Sequence, residues 1–231
     1  MNELVVIVEG ETEQTFVRDQ LAAHLAIHNT SAWPVLPGRH RLHGGVKKWE
    51  VARQDIIRTL KEGRYCSTMF DYYAMPSEWP GRNEAVNKPW QERAKTVQDK
   101  ILLDIVSSLS SSFNPKYFIP YVQLHEFEAL TFADVQVLVS VLNPIVGNSS
   151  ESLNERLTKV LTEAGHPEAI NDGYETCPSR RISTLVPAYI KRAQGPIVTS
   201  RIGIEKLRAR CTHFGTWLNR LEAIDGERTE A

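Results

Sequence analysis

The sequence predicts an α/β fold: a parallel central sheet flanked by helices, continuing into a mostly helical C-terminal region. Three observations carry this expectation. Leu4-Val5-Val6-Ile7-Val8 is a short, unbroken run rich in β-branched residues, the pattern of a strand covered on both faces. Further strand-like runs alternate with amphipathic helix-length segments, and such alternation builds parallel sheets. Each run also leads into acids: Glu9 with Glu13, then Asp71, then Glu126 with Glu128.

Taken in order, Gly10 permits a sharp turn after the first strand. Thr12 to His28 then reads as a helix, with Phe16, Val17, Leu21, Leu25 and Ile27 on roughly helical spacing. Asn29-Thr30-Ser31 closes it. Pro34, Pro37 and Gly38 make Trp33 to Arg41 a loop, with a short strand around Val35-Leu36. The basic, glycine-containing stretch from His40 to Lys48 is either a solvated loop or a lip that contacts phosphate through Lys47 and Lys48. A helix from Lys48 to Glu62 follows and stops at Gly63.

Tyr65 to Phe70 reads as a second core strand running straight into Asp71. Tyr72 to Pro89 is a long loop, and long loops in compact domains tend to be functional. Pro89 to Ser110 gives a helix. Lys116 to Leu124 is a third strand-like run in which Pro120 demands an edge position or a break. It leads into His125-Glu126-Phe127-Glu128 and then Ala133 to Leu142. Ser152 to Ala164 reads as helical and Gly165 to Ser179 as a turn-rich loop. Helices are expected over Arg180 to Arg192, Ile204 to Cys211 and Phe214 to Ala223. The expected division is an α/β domain over residues 1–145 and a helical extension over residues 146–231 packed on it.

Composition narrows the class. A formal net charge of -1 neither demands nor excludes a nucleic-acid partner, so any basic surface must be local. The three cysteines, Cys66, Cys177 and Cys211, form no CxxC pair and no zinc spacing, and their odd number argues against a disulfide framework. A reducing cytoplasm is the expected location. No signal-peptide layout opens the chain, and no apolar run approaches the roughly 20 residues that span a bilayer. Cys177 and Cys211 are expected to be inert, and His213-Phe214 with Trp217 to be core packing.

The acids are the chemical signal. Glu9 falls at the carboxyl end of a central strand, where open α/β sheets place their ligands. Glu13 follows about one helical turn later. Convergent carboxylates suit a hard divalent cation, which takes oxygen ligands. The structural alternative is a solvated turn with helix-capping glutamates. Glu126 and Glu128 would face the same point only if their segment is extended, because i and i+2 share a side on a strand and not on a helix.

The residues Val8-Glu9-Gly10-Glu11-Thr12-Glu13 and Phe70-Asp71-Tyr72-Tyr73 resemble the Toprim catalytic domain of topoisomerases, bacterial primases and OLD-type nucleases. Together with His125-Glu126-Phe127-Glu128-Ala129-Leu130, they look like a bacterial family with Toprim-like signatures, the DUF4276-like proteins. Cys177-Pro178-Ser179-Arg180-Arg181-Ile182 and Arg210-Cys211-Thr212-His213-Phe214 also look typical of that family. The resemblance implies a Toprim/Rossmann-like sheet and a Mg²⁺- or Mn²⁺-dependent nuclease. The metal would be held by Glu9, Glu13 and Asp71 with Glu126 and Glu128. It also implies nucleic acid, chiefly DNA, as partner, and an ATPase encoded nearby in a phage-defence or DNA-maintenance system.

One departure stands out. The second aspartate of the Toprim DxD pair is Tyr73 here. Either Glu126 or Glu128 supplies the missing carboxylate, or the chain is a catalytically inactive module that binds an ATPase or nucleic acid. Nucleotidyl transfer ranks lower, since no zinc-binding cysteine cluster is present to recruit a template. Lys47, Lys48, Arg180 and Arg181 are candidate phosphate contacts, with a helix-start salt bridge as the alternative for the arginines. His125 is a candidate acid, base or supporting group, or else a packing histidine.

Overall fold

A computed structural model describes residues 1–38, 48–146, 150–170, 173 and 176–225. Among the described residues, five strands form one parallel sheet: β1 (Asn2–Val8), β2 (Thr30–Val35), β3 (Tyr65–Asp71), β4 (Phe118–Ile119) and β5 (Val122–Gln123). The spatial order is β2-β1-β3-β4, and β5 pairs with β3 beyond β4. Val8 stands opposite Met69, and Asp71 opposite Gln123. The carboxyl ends of β1, β3 and β5 are therefore side by side.

The apolar run of β1 is unbroken because both faces are covered. Leu4, Val6 and Val8 point into one core, while Val5 and Ile7 point into the other, following the two-residue period of a strand. Each such side chain, fully buried, contributes about 1.5–3 kcal/mol. The first core packs under the helix that begins at Glu11–Phe16, passes through a π-helical turn Val17–Leu21 and ends at Ala22–Ile27. The second packs under the helices Trp49–Lys61 and Trp90–Ser107.

The C-terminal helices join the first core. Residues from Leu4 to Ile224 share it, including Val198, Leu207, Phe214 and Trp217. Tyr121 stacks on Trp217 at 4.3 Å between ring centroids, and Trp217 Nε1 donates to Ser67 on β3 at 2.9 Å. His213, Phe214 and Trp217 are thus packing residues, as expected. The three cysteines are buried free thiols, and burial pushes the Cys211 thiol up. No single helix among the described residues is long and apolar enough to cross a membrane.

Three expectations need correction, and one is met. The strand near Val35-Leu36 is longer and earlier: β2 starts at Thr30, where the sequence looked like a helix terminator. It lies at the sheet edge opposite β1, the place where a strand tolerates Pro34. The third strand run breaks at Pro120, as expected, into β4 and β5, both two residues long. The long loop after Asp71 contains a one-turn helix, Arg82–Ala85. The helix expected over Arg180 to Arg192 is two, Pro178–Leu185 and Lys191–Ile202, separated by a segment containing Pro187. The second continues past Gly195-Pro196 to Ile202, where the sequence offered no helical signal. The remaining helices are Val135–Val146, Ser150–Ala164, Ile204–Arg210 and Thr212–Glu222.

Candidate active site

Glu9 is the first residue past β1. Its N–H donates to the Met69 carbonyl at 3.2 Å, so the sheet fixes its backbone. Its carboxylate reaches across to β3 and accepts the Asp71 N–H at Oε2, 2.9 Å away. The adjacent Gly10 is extended, with φ -151° and ψ -170°, and caps the helix. A Cβ there would lie 3.2 Å from Glu13 Oε2. Gly10 is needed less for a left-handed turn than for the room it gives Glu13, whose carboxyl folds back over it from the first helical turn. Glu11 points outward and pairs with Arg192 at 3.2 Å.

Glu13 and Asp71 are buried and Glu9 is half-buried. Burial first, and the charge of Glu9 second, pushes the Glu13 carboxyl up to about 8. Burial together with Glu13 and Glu9 drives Asp71 well above the carboxylate range. Burial raises Glu9 against the opposing pull of the Asp71 amide. Asp71 Oδ1 is enclosed and has no hydrogen-bond partner among the described residues. These are the properties of a crevice holding more negative charge than its surroundings balance.

The second pair of acids arrives from β5. Tyr72 N–H donates to the Gln123 carbonyl and Tyr73 N–H to that of His125, both at 3.0 Å. His125 is fully buried and sits at φ 66°, a left-handed conformation that costs a non-glycine residue on the order of 1 kcal/mol or more. That turn delivers Glu126 in extended backbone, followed by a 3₁₀ turn Phe127–Ala133 that carries Glu128. The condition that both acids converge only on an extended segment does not hold. The change of backbone between them brings both to one cation. Lys191 Nζ lies 3.2 Å from Glu126 Oε1 and 3.0 Å from Glu128 Oε2.

Lys191 opens its helix, and the Gln194 side chain anchors that helix start by accepting the Ile190 N–H at 2.6 Å. Burial works against the Lys191 ammonium, but Glu128 and Glu126 outweigh it and hold the lysine protonated. Burial likewise opposes ionisation of Glu126, yet Lys191 and Ser179 hold its carboxyl below the usual range. Ser179 supplies both its N–H and its hydroxyl, each at 3.0 Å. Glu128 remains raised, since burial exceeds what Lys191 returns. Tyr189 OH faces its other oxygen at 3.5 Å.

The geometry thus gathers Glu9, Glu13, Asp71, Glu126 and Glu128 at one edge of the sheet. The chain matches the family described as "Domain of unknown function (DUF4276)" over residues 8–222. It belongs to the DUF4276 family. A search among curated proteins finds no match. Among solved structures, the DUF4276 chain is similar to the C-terminal region of the Xanthomonas campestris pv. campestris OLD protein. The identity is 11% and the TM-score 0.49, covering 99% of this chain and 98% of that one.

The basic candidates of the DUF4276 chain are placed differently. Lys48 is exposed at the start of the helix Trp49–Lys61, and Lys47 lies outside the described residues with most of the basic loop. Arg180 is exposed beside Ser179 in the first turn of its helix. Arg181 is spent on structure, with Nε donating to the Thr176 carbonyl at 2.7 Å. The residues that sequence reasoning did not single out are Lys191, Tyr189 and Ser179 as a partner of Glu126. Lys191 carries a weak local sign, a lone lysine just after a proline-containing break, but nothing that ties it to Glu126.

An oxygen-only donor set of this kind fits Mg²⁺ or Mn²⁺ better than softer ions. The orphaned Asp71 Oδ1 and the raised pKa values of three adjoining acids fit such a cation as well. The carboxylates are not drawn to a point, however. Among the described residues, the grouping of three ligand-type side chains whose donor atoms all lie within 4.8 Å is His24, His28 and Glu222, not the crevice acids. Glu9, Glu13 and Asp71 are close enough to repel one another and are not a preformed cage.

Proposed function

We propose that the chain is a divalent-metal-dependent nuclease that cleaves nucleic-acid phosphodiesters. The observation that carries this reading is the gathering of Glu9, Glu13 and Asp71 with Glu126 and Glu128 at the carboxyl ends of adjacent parallel strands, with the Lys191 ammonium set against them. The Toprim resemblance of the same residues supports phosphodiesters as the substrate class. DNA as substrate, and action beside an ATPase in phage defence or DNA maintenance, belong to the same proposal.

Glu9, Glu13 and Asp71 would hold Mg²⁺ or Mn²⁺, with Glu126 or Glu128 taking the place of the aspartate lost at Tyr73. When bound, such an ion supplies charge neutralisation at the phosphate and a water activated for attack. The protein's own groups do the rest. The Asp71 amide orients the Glu9 carboxylate. Glu126, kept ionised by Lys191 and Ser179, would be available as a charged oxygen ligand. Lys191 offers a positive charge, held by Glu126 and Glu128, for an oxygen that gains charge as the bond breaks.

A second reading is a non-hydrolytic module that binds an ATPase or nucleic acid. It is favoured by Lys191 already neutralising Glu126 and Glu128, and by the open arrangement of the other acids. Incubating the purified protein with plasmid, single-stranded DNA and RNA in Mg²⁺ or Mn²⁺ separates the two. Metal-dependent cleavage lost in Glu9→Ala and Asp71→Ala supports the nuclease. Absence of cleavage with every substrate and both metals, even with an ATPase encoded nearby added, overturns the nuclease in favour of the binding module.

A further inference from the structure

A second cluster of ligand-type side chains lies at the other end of the first helix. His24 and His28 are four residues apart, the spacing that stacks two side chains on one helical face. Their rings stand 5.2 Å apart. Glu222, the last residue of Thr212–Glu222, meets both: its Oε1 is 2.5 Å from His24 Nε2 and 3.6 Å from His28 Nε2. All three donor atoms fall within 4.8 Å of one another. His24 and Glu222 are half-buried and His28 is more open, so an ion could enter from solvent.

This cluster is separate from the acidic crevice. Eleven residues of helix, at 1.5 Å each, put His24 roughly 16 Å from Glu13. The helix leaves the carboxyl edge of β1 at Glu11 and returns to the opposite edge, where β2 begins at Thr30. The last described residues dock at that same edge: Asn2 and Asn29 both donate to Asp225, at 3.3 and 2.9 Å.

We propose that His24, His28 and Glu222 form a binding site for a borderline transition-metal ion of the Zn²⁺ class, one that fastens the end of the first helix to the last. Two imidazoles and one carboxylate suit Zn²⁺, Co²⁺ or Ni²⁺ rather than Mg²⁺. Ligands held about 2.0–2.2 Å from a tetrahedral ion stand roughly 3.3–3.6 Å from one another; the His28–Glu222 separation of 3.6 Å already matches, and the hydrogen-bonded His24–Glu222 pair at 2.5 Å would open by about 1 Å around the ion. A fourth position stays open to water.

Arg208 is the group that could oppose this, because it pairs with Glu222 through both terminal nitrogens. It also has other anchors: Glu205 at 3.2 Å and the side-chain Oδ1 of Asn219 at 2.8 Å. Its Nη2, which touches Glu222 Oε1 and lies 3.5 Å from His24 Nε2, would have to give way to the ion, while Nη1 keeps Oε2 at 2.9 Å and so orients the carboxylate from behind.

The test uses the full chain stripped of metal, titrated with Zn²⁺ and with Co²⁺. To remove the acidic crevice as a competitor, the titration is repeated in a Glu9→Gln/Asp71→Asn background. The expected result is a rise in melting temperature with Zn²⁺ and a visible Co²⁺ absorption band in both backgrounds. His24→Ala and His28→Ala should each weaken Zn²⁺ binding at least tenfold, while His28→Ala leaves Mg²⁺-dependent cleavage unchanged. Because His28 is the more exposed, His28→Ala reports even where His24→Ala disturbs folding. Absence of a Zn²⁺ or Co²⁺ signal overturns the proposal, as does binding that survives His28→Ala undiminished.

Discussion

The ammonium of Lys191 lies 3.2 Å from Glu126 Oε1, a residue 65 positions earlier in the chain. It also touches Glu128, so one lysine at a helix start balances two acids delivered by a turn after β5. If that charge serves a phosphoryl oxygen, Lys191→Met should lower kcat for cleavage about 10²–10³-fold, the size seen when a stabilising donor is removed. Lys191→Arg should recover part of it. Single-turnover kinetics on a defined oligonucleotide checks this. Full activity in Lys191→Met would leave the lysine with a purely structural role.

Glu9→Gln keeps an acceptor for the Asp71 N–H, and Asp71→Asn keeps the side-chain size. Both variants should therefore fold with near-normal melting temperature yet lose more than about 100-fold in cleavage, because an amide cannot replace a charged ligand for a hard cation. Isothermal titration with Mn²⁺ should show the matching loss of affinity. Cleavage that persists in both variants would remove these acids from the chemistry.

The Glu13 carboxyl, held at about 8 in the folded protein and ordinary when unfolded, sets the sign of a pH effect. Between pH 4.5 and 8 the folded chain binds more protons than the unfolded one, so stability falls as pH rises through that window. Asp71, Glu9 and Glu128, also raised, act in the same direction. Melting temperature in EDTA should drop from pH 5 to pH 8.5, and Glu13→Gln should flatten the slope. A slope unchanged by Glu13→Gln would contradict the assignment.

Glu168 is fully buried in a segment that the sequence presented as a turn-rich loop. Its two oxygens accept the N–H groups of His213 and Phe214 at 2.9 and 3.0 Å, capping the helix Thr212–Glu222 from elsewhere in the chain. Glu168→Ala strands both donors and should cost about 2–4 kcal/mol, judged from charged hydrogen bonds left half-made. Glu168→Gln, keeping one acceptor, should cost less. Urea denaturation measures both.

What the sequence determined by itself was local. β1 and β3 were legible because they are buried on both faces and so read as continuous apolar runs, and the acids just beyond them could be named from order alone. The break at Pro120 was legible because proline cannot join a ladder from within. β2 was not, because an edge strand covered only in part shows neither a continuous run nor a clean alternation, and Trp33-Pro34 looks like loop.

The tertiary structure decided what balances the acids. No spacing rule connects Lys191 or Ser179 to Glu126. The left-handed turn at His125 and the helix start at Ile190-Lys191 are brought together only when the C-terminal helices bury themselves on the face that Leu4, Val6 and Val8 present. Hydrophobic patterning marks which faces must be covered, but it is non-directional and does not say which distant polar groups will meet once they are. That is why the five carboxylates could be named from the chain alone, while the lysine set against them, and the meeting of His24 and His28 with Glu222, came only from the fold.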